Sequence, residues 1–234
     1  MTQQIPAPTP QAYNLLADLK QTFGLPPAAT LALCVLALVG YLVSLSLGHE
    51  AIQHGFGIPV GSLQDLATGQ HHHPLQLVPT WLTPLTYSIF HIELWHLIPN
   101  LLGLWILGRF AEPMLGRSNL VLAYFVFAYV TALSIIVIAP ERVAPIVGAS
   151  GGISGILGCY LGMRFRVMRA WWLRCMEWGV LGGMLAVIFY RSVPPSPDII
   201  SSLLWHGLPF VLAWLLGRYG PLQARGDRTV GRAA

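Results

Sequence analysis

The stretch GASGGISGILGCYLG, residues 148–162, decides the fold class of this chain. It is glycine-rich and lies in an uncharged, apolar run that extends from about residue 146 to residue 163. Ser150, Ser154, Gly158 and Gly162 recur at every fourth position and therefore share one face of a helix. A face of small residues lets a second helix approach closely, which is typical of helix packing in a bilayer.

The rest of the chain has the same apolar character. Hydrophobic residues make up 55% of its 234 residues and charged residues only 9%, whereas a soluble domain carries roughly 25% charged residues. A membrane-spanning helix needs about 20 mainly apolar residues. Six segments approach that length: 28–47, 91–110, 119–138, 146–163, 172–190 and 199–216. The sequence therefore predicts an all-α, polytopic membrane bundle of six transmembrane helices.

The basic residues predict how this bundle is oriented. Six spans place both termini on one side of the membrane, and Lys and Arg stay on the cytoplasmic side in short loops. Of the 13 Lys and Arg residues, only Arg142 and Arg191 fall on the side opposite the termini. The other eleven are Lys20, Arg109, Arg117, Arg164, Arg166, Arg169, Arg174, Arg218, Arg225, Arg228 and Arg232. We therefore expect a cytoplasmic leader at 1–27, a membrane domain at 28–217, and a cytoplasmic, disordered tail at 218–234.

The long outward loop, residues 48–90, contains no Lys or Arg and is rich in Gly, Pro, Gln and His. It exceeds the usual length of a connection, so we expect it to be partly structured. Its histidine triplet at 71–73 suggests metal binding, but adjacent residues rarely converge on one ion without a helical or hairpin frame. Cys34, Cys159 and Cys175 show neither disulfide nor zinc spacing. The sequence predicts no metal and no cofactor.

Four polar residues fall inside the predicted spans, where polar groups are expensive and usually functional. At a rise of about 1.5 Å per residue, Ser150 lies roughly 6 Å below the outer end of its span, and His96 roughly 8 Å. His206 lies roughly 10 Å down and Asn100 roughly 13 Å. The four residues therefore share one layer near the outer face, which scattered structural residues would have no reason to do.

Ser150 and His206 fit a nucleophile and its base. A serine among small residues at a helix start has an exposed hydroxyl and free backbone N–H groups nearby, and a neutral imidazole can remove its proton. Ser154 lies one turn deeper and is the weaker candidate nucleophile. No Asp or Glu lies in the outer half of the spans, so the sequence favours a dyad over a triad. Taken alone, the glycine-rich stretch also fits a packing surface, and a lone histidine also fits a hydrogen bond between helices.

His96 and Asn100 lie four residues apart, on one helical face. Both side chains can donate hydrogen bonds, and two donors at the depth of the nucleophile make a plausible oxyanion hole. The alternative is a buried polar pair that satisfies loop carbonyls. Pro99, between them, is tolerable near a helix start because the first N–H groups lack partners there.

At these residues the sequence resembles the rhomboid proteases. The resemblance covers roughly residues 86–217 and is carried by residues 86–91 with 95–100, by 108–116, by 148–151, and by His206 with Gly217. It implies an intramembrane serine endopeptidase that cleaves transmembrane segments of other membrane proteins near the outer leaflet, without a cofactor. It also implies that Ser150 is the nucleophile, His206 the base, His96 and Asn100 the oxyanion donors, and His91 a residue lining the outer cavity.

Two features depart from the family pattern. Pro209 stands where the family often has glycine, three residues after the last-helix histidine, and we expect it to kink that helix or to loosen its contact with the fourth span. The loop after the first span lacks the Trp-Arg pair that many members carry. Both departures concern the handling of substrate more than the chemistry.

Three other functions are possible in outline. A catalytically inactive rhomboid-like protein that binds membrane clients would typically have lost the serine or the histidine, and both are present. His91 and His96 are five residues apart rather than the four of a zinc protease helix. A transporter would place its polar groups at the midplane. We therefore expect a multi-pass protease of the bacterial inner (plasma) membrane, with transmembrane proteins and the lipid bilayer, not nucleic acid, as partners.

Overall fold

The computed structural model describes residues 24–58, 67–68, 73–138, 145–167 and 199–221. Within these ranges the secondary structure is helical, and extended pairing is confined to an isolated antiparallel bridge between Ile58 and Ile146. The α-helices with described bounds are α1 (Ala28–Leu47), α2 (His49–Phe56), α3 (Thr83–Thr86), α4 (Leu94–Leu115), α5 (Arg117–Ile138), α6 (Ser150–Val167) and α7 (Ile199–Tyr219), and a 3-10 turn (Thr80–Leu82) precedes α3. The predicted helical class is confirmed.

Helix α1 has the bounds that its sequence predicts, because Pro27 and Gly48 bracket the apolar run. Pro27 precedes the first turn, and Gly48 ends the helix with a φ of +89°, which favours glycine. Pro27 offers no side-chain cap. A distant carboxylate takes that role: Glu112 accepts hydrogen bonds from the backbone N–H groups of Ala29 and Thr30 at 3.2 and 2.8 Å. The Thr30 hydroxyl donates to Glu112 as well, at 2.9 Å, so an acidic group stands where the helix dipole favours it.

Helices α1 and α4 pack antiparallel. Near the start of α1, Thr30 lies against Gly108, close to the end of α4, and further along α1 Gly40 lies against the carbonyl of Ile89, just before α4 begins. The chain then turns at Gly116, with a φ of +82°, directly into α5. The end of α4 and the start of α5 therefore lie beside the start of α1.

Helix α6 lies at the centre, and its small residues face two neighbours. A Cβ added at Gly152 would lie 2.5 Å from the ring of Tyr124, and one added at Gly155 would meet Phe127, so α5 packs directly on this side. A Cβ added at Gly158 would lie 2.5 Å from the carbonyl oxygen of Phe210 in α7. Gly162 likewise lies against the backbone of α7. The close approach predicted from the four-residue repeat is confirmed, and α7 is the helix that uses it.

Two predicted helix starts lie too early in the chain. The fourth segment was expected from residue 146, but α6 begins at Ser150, because Ile146 is held by reciprocal backbone hydrogen bonds with Ile58 and Gly148 has a φ of +140°. The second segment was expected from residue 91, but α4 begins at Leu94, after Glu93 in an extended conformation. In the first of these places, an apolar residue before the helix is held by a distant part of the fold.

Two described helices are long and apolar enough to cross a membrane by length and composition alone: α1, with a mean hydropathy of 2.3, and α5, with 2.5. Helices α4, α6 and α7 coincide with further predicted spans. The predicted fifth span, 172–190, lies outside the described residues, as do the leader up to residue 23 and the tail from residue 222. The count of six transmembrane helices stays a prediction. The expectation that the outward loop is partly structured is confirmed by α2, α3 and the 3-10 turn.

Candidate active site

Ser150 is the first residue of α6, and the segment before it is held in place by backbone bonds. The N–H of Gly148 donates to the carbonyl of Tyr87 at 2.9 Å. Gly148 then takes a φ of +140°, which side chains rarely permit, and turns the chain into the helix. As a result the Ser150 side chain projects from a helix start, where the first backbone N–H groups have no partner within the helix.

The hydroxyl oxygen of Ser150 lies 3.0 Å from Nε2 of His206. The two residues come from α6 and α7 and are 56 residues apart in sequence. Further along the same interface Gly158 contacts Trp214 and Gly162 contacts Arg218, again 56 residues apart, so the two helices run parallel. If the hydroxyl donates this bond, Nε2 is the unprotonated nitrogen and the ring proton is on Nδ1. That arrangement is the one a general base requires.

Pro209 does not separate the two helices. Helix α7 continues through it from Ile199 to Tyr219, and contacts with α6 are kept on both sides of the proline, at His206 before it and at Phe210 after it. The expected loosening of this interface is therefore wrong. Gly158 provides the reason, because its missing side chain leaves room for the backbone of the turn that contains the proline.

Ser154 is placed differently from Ser150. Its side chain is buried, and its hydroxyl donates to the carbonyl oxygen of Ser150 at 2.9 Å. The hydroxyl is therefore engaged one turn back along its own helix, a pattern that is usual for serine in apolar helices.

The imidazole of His96 lies directly against Gly148. A Cβ added at Gly148 would lie 2.7 Å from Nε2 of His96. This nitrogen is buried and has no hydrogen-bond partner among the residues that the structure describes. A potential donor is thus held beside the segment that leads into Ser150, with nothing in the described structure to use it.

Asn100 is fully buried, and its amide nitrogen donates to the carbonyl oxygen of His96 at 2.7 Å. Only the nitrogen of the amide can donate to a carbonyl, so this contact fixes the orientation of the side chain. One of its two N–H bonds is therefore committed within α4, and one remains. The amide oxygen has no partner among the described residues.

His91 is fully buried, and its Nε2 accepts the backbone N–H of Ala149 at 3.3 Å. Its ring packs edge-on against that of His96, with the centroids 5.1 Å apart. The structure thus places His91 behind the residue that precedes Ser150, where it holds the backbone that leads into α6. The four polar residues predicted to share a layer therefore lie close together. Ser150 begins α6 and contacts His206, while His96 lies against Gly148 and bonds to Asn100. His91 joins this group through Ala149.

Two tyrosines complete this arrangement, and the sequence reasoning assigned them no role. Tyr87 accepts the Gly148 N–H on its backbone and donates from its hydroxyl to the carbonyl of Ala128 at 2.9 Å. Tyr124 donates from its hydroxyl to the carbonyl of Ser88 at 2.7 Å while its ring lies on Gly152. A polar aromatic residue in an apolar segment was the available signal, because a buried tyrosine hydroxyl needs a partner.

Comparison with known proteins adds an independent finding. A family profile for the Rhomboid domain matches residues 79–219. Rhomboid protease GluP of Bacillus subtilis is 33% identical over 96 residues, which are 41% of this chain and 18% of that protein. Rhomboid protein 1, mitochondrial, of Saccharomyces cerevisiae is 38% identical over 74 residues, which are 30% of this chain and 21% of that protein. The matched regions therefore span about a fifth of the length of either relative.

Proposed function

This chain belongs to the rhomboid family of integral membrane proteins, and on that basis we propose that it is an intramembrane serine endopeptidase with a Ser150–His206 dyad. The observation that carries the proposal is the 3.0 Å distance between the Ser150 hydroxyl and Nε2 of His206, across the interface of α6 and α7. One of the relatives is named as a protease. Inheritance of a family fold alone would not require these two polar groups to meet.

The proposed reaction follows from the protonation state of the dyad. His206 accepts the Ser150 proton at Nε2 as the hydroxyl oxygen attacks the scissile carbonyl carbon. The imidazolium then gives this proton to the leaving amine as the peptide bond breaks, which leaves an acyl ester on Ser150. Water, deprotonated by His206, attacks the ester, and the returning proton restores the serine hydroxyl.

The negative charge that develops on the carbonyl oxygen needs donors that are already in place. We assign this role to Nε2 of His96, to the uncommitted N–H of Asn100, and to backbone N–H groups at the start of α6. The position of His96 against Gly148 supports the assignment. His91 acts as a positioning residue in this scheme, since its bond to the Ala149 N–H holds the chain next to Ser150.

The proposed substrates are transmembrane segments of other membrane proteins. They would reach a site near the outer leaflet by lateral diffusion in the bilayer. The proposed location is the bacterial inner membrane, with both termini cytoplasmic. No cofactor takes part, because serine, imidazole and water supply every proton and bond in the scheme.

The test is cleavage of a generic transmembrane reporter by the full chain in vesicles. Ser150→Ala and His206→Ala should each abolish cleavage, and the double variant should lose no more than either, because a nucleophile and its base act as a unit. Ser154→Ala is the matched serine control and should keep substantial activity. Labelling by a fluorophosphonate should require Ser150. Full cleavage by Ser150→Ala would exclude the dyad, and no cleavage or labelling of the wild type would favour an inactive, client-binding member of the family.

A further inference from the structure

The histidines of this chain fall into two groups. Three of the 8 lie at the candidate active site. The other five are in the outward loop, at positions 49, 54 and 71–73. Two of them, His54 and His73, meet Glu50 in the structure, and their ligand atoms all lie within 4.8 Å of one another. We propose that Glu50, His54 and His73 form a binding site for a late first-row divalent cation, with Zn²⁺ as the expected occupant.

The ligand set fits this class of ion. Imidazole nitrogen and carboxylate oxygen are ordinary zinc ligands, at about 2.0–2.2 Å from the metal. Glu50 and His54 are four residues apart on α2 and share one face of the helix. His73 approaches from another part of the loop, so the ion would join two segments that are distant in sequence. Three protein ligands would leave a fourth tetrahedral position for water.

The site is close to binding geometry but needs a local adjustment. The rings of His54 and His73 are stacked, with centroids 3.8 Å apart and planes 17° from parallel. An imidazole binds a metal in the plane of its ring, so at least one ring must turn. Nδ1 of His73 also accepts the N–H of Leu75 at 3.2 Å, a bond that a rotation would break. Such a bond contributes only about 0.5–1.5 kcal/mol net, and a turn is possible because Glu50 is exposed and both rings are only partly buried.

Electrostatics favour a neutral imidazole at His54. Burial lowers the pKa of His54, the neighbouring His73 lowers it further, and Glu50 opposes both effects. The neutral ring is the form that donates a lone pair to a metal. The loop contains no Lys or Arg that would compete with a cation for the Glu50 carboxylate.

The frame that carries the ligands is fixed to the rest of the fold. The N–H of Leu77 donates to the carbonyl of Gly55 at 3.2 Å, and this bond connects the segment that follows His73 to the end of α2. The hydroxyl of Thr86 donates to the carbonyl of Phe56 at 2.7 Å. These bonds hold the two halves of the site together before any ion binds. All three ligands precede residue 79, so they lie outside the region that matches the family.

Zinc titration of the purified full chain tests this inference. The chain should carry no histidine tag and should first be stripped with a chelator, and free Zn²⁺ is then followed by competition with a chromophoric chelator. We expect about one equivalent of bound zinc. Glu50→Gln, His54→Ala and His73→Ala should each weaken binding at least about tenfold, because even the loss of an outer partner of a metal ligand costs 10–100-fold.

His49→Ala is the matched control, since His49 is an exposed histidine on the same helix and is not part of the cluster. It should bind zinc as the wild type does, and circular dichroism should show that all four variants keep their helices. The inference is overturned if the wild type binds no zinc, or if the three ligand variants bind zinc normally. It is equally overturned if His49→Ala weakens binding as much as they do. Because the readout is zinc and not cleavage, these results are independent of the Ser150–His206 proposal.

Discussion

Asn100 and His96 are joined by a hydrogen bond, and this bond determines which of their groups remain for the proposed reaction. Asn100 donates one of its two amide hydrogens to the carbonyl of His96, on the preceding turn of α4. Asn100 therefore stabilises the turn that presents His96 and also keeps one N–H for a ligand. A purely structural pair would use both side chains inside the protein, whereas Nε2 of His96 is not used within the described residues.

We expect His96→Ala to slow cleavage more than Asn100→Ala, with the double variant slower than either. Loss of one oxyanion donor typically costs about 10²–10³ in rate, but the donors remaining at Ser150 should reduce the loss for each single variant. Turnover per fluorophosphonate-titrated site, beside a melting curve in detergent, measures this. Normal turnover per site with a strongly lowered melting temperature would instead assign both residues to folding.

At the residue scale, the sequence reveals the chemical types but not all of the pairings. Ser150 and His206 could be paired because each is a reactive polar residue in an apolar span. Asn100 could not be assigned its bond to His96, because that bond is local to one turn and leaves no trace in the spacing. The cluster of Glu50 with His73 could not be predicted because it is not local: the two residues are 23 positions apart in sequence. The triplet at 71–73 gives no indication that His73 has a partner in α2.

At the scale of elements, α6 keeps its neighbours close by having almost no side chains on two of its faces. Phe127 and Tyr124 of α5 fill the space above Gly155 and Gly152 on one side. The backbone of α7 fills the space above Gly158 on the other. Van der Waals contact of this kind drives helix association in lipid, where burial of apolar surface gains nothing. The proposed dyad depends on this closeness, because Ser150 and His206 come from different helices.

Gly158→Ala should therefore lower both stability and cleavage, whereas Gly207→Ala should lower neither. The added methyl group at Gly158 would lie 2.5 Å from the carbonyl oxygen of Phe210, so α6 and α7 must move apart. Overpacking costs about 1–3 kcal/mol, more than the roughly 1 kcal/mol that alanine gains over glycine in a helix. At Gly207 a Cβ would meet nothing within 4 Å. Melting curves and reporter cleavage for this matched pair measure the effect, and equal behaviour of the two variants would contradict the packing argument.

The bounds of elements were predictable where the sequence itself ends the helix. Pro27 and Gly48 do so for α1. The end of α4 was predicted less well: the second segment was expected to stop at residue 110, whereas the helix continues to Leu115, before Gly116. The start of α6 was not predictable from hydropathy, because Ile146 is as apolar as the helix it precedes. It stays outside α6 through its bonds with Ile58 in a distant loop, and no property of the local sequence records that partner.

At the scale of the whole molecule, the polar groups separate into two layers at opposite ends of the bundle. Ser150, His206 and His96 lie at one end. Glu112 marks the other end, where it accepts bonds from α1 and lies 3.7 Å from Nε of Arg117. Along α4, His96 and Glu112 are separated by about 24 Å at 1.5 Å per residue, which is close to the thickness of a bilayer core. The Lys and Arg residues of the described helices lie at the Glu112 end: Arg109, Arg117, Arg164, Arg166 and Arg218.

This separation predicts that the Glu112 end faces the cytoplasm and that the candidate active site opens near the outer face. Short loops that are rich in Lys and Arg remain cytoplasmic. The basic residues of the described helices lie at the Glu112 end, whereas the outward loop, 48–90, contains no Lys or Arg. A reporter enzyme that is active only outside the cytoplasm should be active when fused after Gln64 and inactive when fused after Leu222. A fluorescent protein that matures only in the cytoplasm should give the opposite pattern at the same two points. If both fusion points report the same side, an even number of spans lies between them instead of the predicted five, and the six-span arrangement is wrong. If the two sides are reversed, the span count survives but the orientation does not, and the proposed cleavage site moves to the cytoplasmic leaflet.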